Sequence, residues 1–184
     1  DSVVATCSGA AAVLKRNPDA IIPHGVDPKT YTLPVDGKKA EWASLGYPGE
    51  YGIGIFARIR AQKGIGILVD AMIPIMKENP APTVLIAGET TQSNEGFVKK
   101  LKEKIKEENL EDRIIFLGKI HYDNEVPKLM RGLSIVTALS TIEGFGLPVL
   151  EAMASGCAVV ASRTGAWEDI IEENVHGKLV PCKD

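Results

Sequence analysis

At 184 residues, 45% apolar and 24% charged, the chain has the material for one well-cored globular domain, with at most an appendage. A net charge of −3 sets up no broad positive field, which excludes nucleic acid or an anionic membrane as a partner held by charge. Cys7, Cys157 and Cys182 are scattered, with no C-x-x-C pair for zinc or redox chemistry, and no apolar run is long enough to span a bilayer.

Residues 3–6 already read as strand, which predicts that the chain is a piece of a longer protein. "VVAT" and "AIIPHGVD" flank a short helical run, "GAAAVLKR". Residues 23–49 are rich in Pro, Gly and Lys, with one helical patch at "KKAEWASL", and read as a linker or domain entry. A repeated rhythm follows. "YGIGIFA" leads to "IGILVDAMIPIMKE", "TVLIAG" to "EGFVKKLKEKIKEEN", and "RIIFLG" to "NEVPKLMRG". "SIVTALS" then leads to "PVLEAMASG", "AVVAS" to "WEDIIEE", and "KLVP" closes. Short β-rich apolar runs alternating with helices predict βα units, hence an α/β, Rossmann-like doubly wound parallel sheet. Within "VKKLKEKIKEE" both charge signs mix, and Phe97, Leu101 and Ile105 fall at helical spacing, the pattern of a solvated amphipathic helix. Pro74 predicts a kink or break in its helix. Trp42 and Trp167 read as packing residues, and His121 and His176 as surface residues.

Ligands on such sheets bind at the carboxyl ends of strands, so the loops after strands carry the chemistry. "GIGIFA" matches the G-x-G-x-x-A dinucleotide fingerprint, with Asp70 downstream. That fingerprint needs glycines that follow a strand and open a helix; here they sit inside the strand and a basic loop follows. The loop "ARIRAQKG", residues 57–64, clusters Arg58, Arg60 and Lys63 where a helix begins. A planar guanidinium, an ammonium and a helix N-terminus together suit a diphosphate, although an exposed basic turn has the same composition. It is not a P-loop, since no Ser or Thr follows the lysine to hold magnesium.

The second loop is "STIEGFGLPVLEAMASG", residues 140–156. Gly144 and Gly146 let backbone N–H groups approach a ligand, and Pro148 suits the first turn of a helix. Glu143 and Glu151 repel a bare phosphate, yet carboxylates accept well from sugar hydroxyls. On that reading Glu151 spans a ribose diol and Glu143 faces a second sugar; a helix-start carboxylate and a surface glutamate remain the plain alternatives.

The E-x-x-x-x-x-x-x-E spacing of "EGFGLPVLE", followed by "AMASGCAVVAS", resembles the family 4 (group 1) glycosyltransferases of the GT-B architecture. "ARIRAQKG" is similar to that family's R-x-x-x-x-K-G phosphate loop, and "IIPHGVD" to its I-P-N-G-V-D linker, with His24 in place of Asn. The motifs occur in order over nearly the whole chain. The wording "HGVD", "EWASLGYPGEYGIG", "FLGKI" and "GAWEDII" is most similar to mannosyltransferases of bacterial lipopolysaccharide core assembly.

The resemblance implies the C-terminal half of a GT-B fold: residues 1–22 as the tail of an acceptor domain and its linker, and 23–184 as a nucleotide-sugar-binding domain shortened at its C-terminal end. It implies retaining transfer from a nucleotide diphosphate sugar, GDP-mannose, to a lipopolysaccharide-core or related glycan or glycolipid held by the missing N-terminal domain. Arg58, Lys63 and Glu143 would be catalytic. Donor contacts would come from these three, from Gly144, Phe145, Gly146, Leu147 and Glu151, and from Gly118, Lys119 and Ile120 near the nucleobase. No D-x-D occurs, which fits an enzyme without metal or other cofactor. The implied location is cytoplasmic, with peripheral association of the longer enzyme at the inner face of the membrane. Ala57 stands where the family usually has Gly, and Ile142 where a polar residue is common. A sucrose- or trehalose-type synthase, a phosphorylase, and a non-catalytic sugar-nucleotide sensor are the rival readings.

Overall fold

The computed structural model describes residues 1–182. Near the N-terminus, β1 (Val4–Ala5) and β2 (Ala20–Ile21) pair in parallel across α1 (Ser8–Ala12). After an irregular stretch come α2 (Lys38–Leu45), β3 (Tyr51–Phe56), a 3-10 turn (Ala61–Lys63) and α3 (Ile65–Glu78). β4 (Pro82–Ala87), a second 3-10 turn (Gln92–Asn94), α4 (Glu95–Glu107), β5 (Ile114–Gly118) and α5 (Glu125–Gly132) follow. β6 (Leu133–Ala138), α6 (Leu147–Ala154), β7 (Ala158–Ser162), the single turn α7 (Trp167–Ile170) and β8 (Gly177–Val180) complete the order.

β3 to β8 form one six-stranded sheet in the order β5-β4-β3-β6-β7-β8, every neighbouring pair parallel. Counted from β3 this is 3-2-1-4-5-6, the order in which the winding reverses between the first and fourth strands. β4 is buried at every residue, as a strand covered on both faces must be. One face packs Ile53, Ile55, Val84 and Ile86 against the apolar stripe of α3. The other packs Leu85, Leu133 and Val136 against α2, α5 and α6, with Trp42 and Trp167 both at 2% exposure. Both tryptophans are thus packing residues.

Two expectations need correction. Pro74 neither ends nor splits α3, which runs through it to Glu78. The helix buries Ile65, Leu68, Val69, Met72, Ile73 and Met76, while Pro74 and the Asp70 carbonyl that its missing N–H leaves free lie on the exposed side. Of the two readings of residues 23–49, the linker is corrected and the domain entry agrees with the packing. Tyr31 and Trp42 belong to the core beneath the sheet, and Lys38 Nζ donates to the carbonyls of Met130 and Ser155 at 2.8 and 2.6 Å.

The switch point depends on one close approach. Gly64, between the 3-10 turn and α3, has φ +70°, and a Cβ there would lie 2.2 Å from the Leu139 carbonyl oxygen after β6. Beside it the Thr141 N–H donates to the Gln62 carbonyl at 2.9 Å. Gly64→Ala should therefore cost roughly 2–4 kcal/mol, through left-handed strain and a backbone clash. The melting temperature should drop by roughly 5–15 °C. A variant that melts with the wild type would show that the two loops do not meet.

Candidate active site

On the β3 side, Ile59 is anchored: it is 2% exposed, and its N–H donates to the Glu89 carbonyl at 2.9 Å. In an extended segment alternate side chains point opposite ways, so burying Ile59 turns Arg58 and Arg60 out to the crevice they line. Among the described residues neither arginine has an ion-pair partner, so both guanidiniums stand free to meet a ligand. Lys63 is different. Its Nζ donates to Glu143 Oε2 at 2.7 Å, with the two side chains only 14% and 18% exposed.

That bond crosses the switch point from the loop after β3 to the loop after β6. Glu143 is held further by the Ser140 hydroxyl, which donates to Oε2 at 3.2 Å, and by the Gly144 N–H, which donates to Oε1 at 3.2 Å. The Ser140 carbonyl in turn accepts from Ser162 Oγ at 2.5 Å. Gly146 has φ +78°, and a Cβ there would sit 2.2 Å from Trp167 Nε1, so only glycine lets the loop lie on the indole. Leu147 then opens α6, with Pro148 in its first turn. The crevice so formed holds about 410 Å³. His24 enters it from the N-terminal stretch, its ring edge-on to Phe145 at 4.8 Å.

Of the residues singled out in sequence, Arg58, Lys63, Glu143, Phe145, Gly146 and Leu147 line this crevice together. Gly144 adjoins it and spends its N–H on Glu143. Glu151 opens instead into a neighbouring cavity of about 190 Å³ that shares Leu147 with the crevice. It is 2% exposed, and the Tyr122 hydroxyl donates to its Oε1. Burial pushes its carboxyl up from 4.5 to about 7, against a smaller opposing pull from the nearby Tyr31 phenol, which does not close a full hydrogen bond. Tyr31 is itself raised, by burial and then by the Glu151 charge.

Gly118, Lys119 and Ile120 line neither cavity. Gly118 ends the edge strand β5, Lys119 is an exposed cation 3.9 Å from Glu89, and Ile120 packs toward Tyr47 and Leu129. Ser140, Tyr31 and Tyr122 escape sequence reasoning. The one available signal is an aromatic side chain four places beyond Gly118, between His121 and Asp123 in a post-strand loop.

A sheet of this order, with cations and a carboxylate facing across its switch point, defines an open, doubly wound α/β domain whose candidate site lies at its strand ends. Residues 39–184 match the family described as "Glycosyl transferases group 1", and the chain belongs to that family. It is 37% identical to the lipopolysaccharide core biosynthesis mannosyltransferase LpcC of Rhizobium leguminosarum bv. viciae, over all of this chain and 51% of that protein. Against LpsB of Rhizobium meliloti, which carries the same description, the identity is 37% over 93% of this chain and 48% of that one. The chain thus spans about half the length of the curated relatives it matches.

Among solved structures, the C-terminal domain of a group 1 glycosyl transferase (LpcC) from Francisella tularensis superposes with TM-score 0.81 at 44% identity, covering 87% of this chain and 82% of that one. Anabaena Alr3699/HepE, solved with UDP and glucose, gives 0.84 at 26% identity, covering 98% of this chain and 49% of that one. The fold is the C-terminal half of a GT-B glycosyltransferase.

The raised Glu151 has a consequence for stability. Between 4.5 and about 7 the folded carboxyl keeps a proton that the unfolded one has lost. Its contribution therefore declines as pH rises through that window and is flat on either side. Relative to Glu151→Gln, the wild type should lose up to about 3 kcal/mol between pH 4.5 and 7.5. Denaturant unfolding of both proteins across that range checks this, and parallel pH profiles would rule it out.

Proposed function

We propose that this chain is the donor-binding half of a retaining glycosyltransferase that moves mannose from GDP-mannose to a lipopolysaccharide-core or related glycan. The observation that carries the reading is the switch-point crevice itself. Two unpaired arginines stand on one wall and a lysine-held carboxylate on the other, and the first turn of α6 closes the gap between them. Such a site suits a ligand with a diphosphate at one end and hydroxyls at the other. The relatives described as lipopolysaccharide core mannosyltransferases support the sugar and the acceptor class. The HepE complex with UDP and glucose supports a nucleotide donor.

In the reaction the bond between the anomeric carbon and the diphosphate oxygen breaks, and its electron pair leaves with the diphosphate. The acceptor hydroxyl supplies the new glycosidic oxygen and gives up its proton. Arg58, Arg60 and Lys63 stabilise the charge that grows on the leaving group, in place of a divalent ion. Glu143, pinned by Lys63, Ser140 and the Gly144 N–H, orients the transferred sugar through its hydroxyls. Glu151 accepts from the ribose. The acceptor lies on a domain outside this chain, so the chain alone should bind donor without transferring sugar.

Calorimetric titration with GDP, UDP, ADP and their sugars tests the donor. GDP and GDP-mannose should bind, with affinities unmoved by EDTA; loss of binding on chelation would point to a metal, and absence of any nucleotide binding would discard the reading. Variants separate the roles. Arg58→Ala should weaken every diphosphate ligand and spare the bare nucleoside. Glu143→Ala should weaken only the nucleotide sugar, while Glu151→Ala should weaken diphosphate and nucleotide sugar alike. A lost charge-assisted bond corresponds to roughly ten- to a hundredfold in affinity. Equal losses on plain diphosphate from the two glutamate variants would contradict this division. Binding with no transfer in a longer chain carrying both domains would favour a sensor over an enzyme.

A further inference from the structure

Glu143 and Glu151 differ in what holds them. The cavity at Glu151, about 190 Å³, is room for about six waters at about 30 Å³ each, enough for one sugar ring. Two phenols enter it from distant parts of the chain. Tyr122, on the loop between β5 and α5 and half-exposed, donates its hydroxyl to Glu151 Oε1. Tyr31 comes from a tight turn whose geometry is set by Asp27: the Tyr31 N–H donates to the Asp27 carbonyl at 3.0 Å, and the Asp27 carboxylate accepts from Thr30 Oγ1 at 2.7 Å and the Lys29 N–H at 3.0 Å. The two phenol rings meet edge-on at 6.3 Å.

Tyr31 is 4% exposed, and among the described residues its hydroxyl closes no full hydrogen bond. Buried hydroxyls in native proteins are almost always bonded, and an unpaired one that lines a cavity beside a carboxylate is a donor in want of a ligand. Of the charged or titratable groups that face Glu151, Asp27 and Tyr31 belong to the turn and Tyr122 and Asp123 to the loop after β5; α6 itself adds none. Among the described residues no lysine, arginine or histidine lines the cavity, so the carboxylate is met by phenols rather than by a cation.

We propose that Tyr31 and Tyr122 complete a diol-binding subsite around Glu151, in which Tyr31 bonds one ligand hydroxyl directly and Tyr122 positions the carboxylate that takes the other. Tyr122 spends its proton on Oε1 and leaves the second oxygen to the ligand. Tyr31 is then a specificity-determining contact that favours a ribonucleotide over a deoxynucleotide, and Tyr122 is a positioning residue. The inference rests on the reading of Glu151 as the acceptor for the ribose of the donor. A phenol donor favours the ionised carboxyl, so removing either the Tyr122 bond or the weaker pull of Tyr31 should raise a group that burial already places at about 7.

The test is calorimetric titration of the whole chain with GDP and with 2′,3′-dideoxy-GDP, for wild type, Tyr31→Phe and Tyr122→Phe, from pH 6 to pH 9. Wild type should prefer GDP. Tyr31→Phe should weaken GDP about three- to tenfold, the worth of one neutral hydrogen bond, and leave the dideoxy ligand unchanged. Tyr122→Phe should shift the pH midpoint of GDP affinity upward from about 7, with affinity at pH 9 restored to within about threefold of wild type. Equal losses on both ligands from Tyr31→Phe, or an unmoved midpoint in Tyr122→Phe, would overturn the assignment for that residue. Thermal melts of the two variants separate such losses from misfolding. If wild type binds GDP and the dideoxy ligand alike, the ribose reading of Glu151 fails first and this subsite falls with it. If wild type discriminates while both phenylalanine variants behave as wild type, Glu151 keeps its role and the two tyrosines lose theirs.

Discussion

The site depends on β3 and β6 lying side by side with no helix between their carboxyl ends. Every other neighbouring pair in the sheet is consecutive in sequence, joined by a helix or, between β7 and β8, by the single turn α7. Between β3 and β6 the winding reverses, and the two following loops leave the sheet toward opposite faces. They meet where the backbone at Gly64 presses on Leu139, where the Thr141 N–H donates to the Gln62 carbonyl and where Lys63 binds Glu143. Arg58 and Arg60 stand outside that seam, on a segment held down by Ile59, so their charges remain available.

The two glutamates, eight positions apart, have different neighbours because of the helix that begins between them. Glu143 lies in the loop before α6, within reach of a lysine and two further donors. Glu151 lies within α6, 2% exposed, with a phenol as its partner. Burial makes the Glu151 carboxyl hold its proton to a higher pH, whereas Glu143 is paired with the Lys63 ammonium. The crevice and the adjoining cavity thus hold Glu143 and Glu151 in two different electrostatic settings, with Leu147 on the boundary between them.

The N-terminal β1–α1–β2 unit is tied to this end of the sheet. The Ser8 hydroxyl and N–H both donate to the Asp169 carboxylate, at 2.7 and 2.8 Å, and the Cys7 thiol donates to the Gly144 carbonyl at 3.7 Å. Gly144 belongs to the loop that carries Glu143, so a displacement of the N-terminal unit bears directly on the crevice. His24, edge-on to Phe145, makes a second connection from the same part of the chain.

The alternation of β-rich runs with helical stripes was enough to determine the parallel sheet, because buried parallel strands and amphipathic helices differ in period and in composition. The two loops that line the crevice were legible as post-strand loops, because glycine, proline and clustered charges follow the β-rich runs there. Local pattern could not show that Pro74 would be absorbed on an exposed face, or that residues 23–49 would place Tyr31 in the core beside Trp42. Nor could it show that Gly118, Lys119 and Ile120 would stand apart from the crevice. Those outcomes depend on which faces the sheet covers. The pairing of Lys63 with Glu143, 80 residues apart, and the meeting of Tyr31 and Tyr122 at Glu151 belong to tertiary structure alone. Residue type and spacing determine what each group can do; only the reversal of the winding at β3 and β6 decides which groups share a cavity.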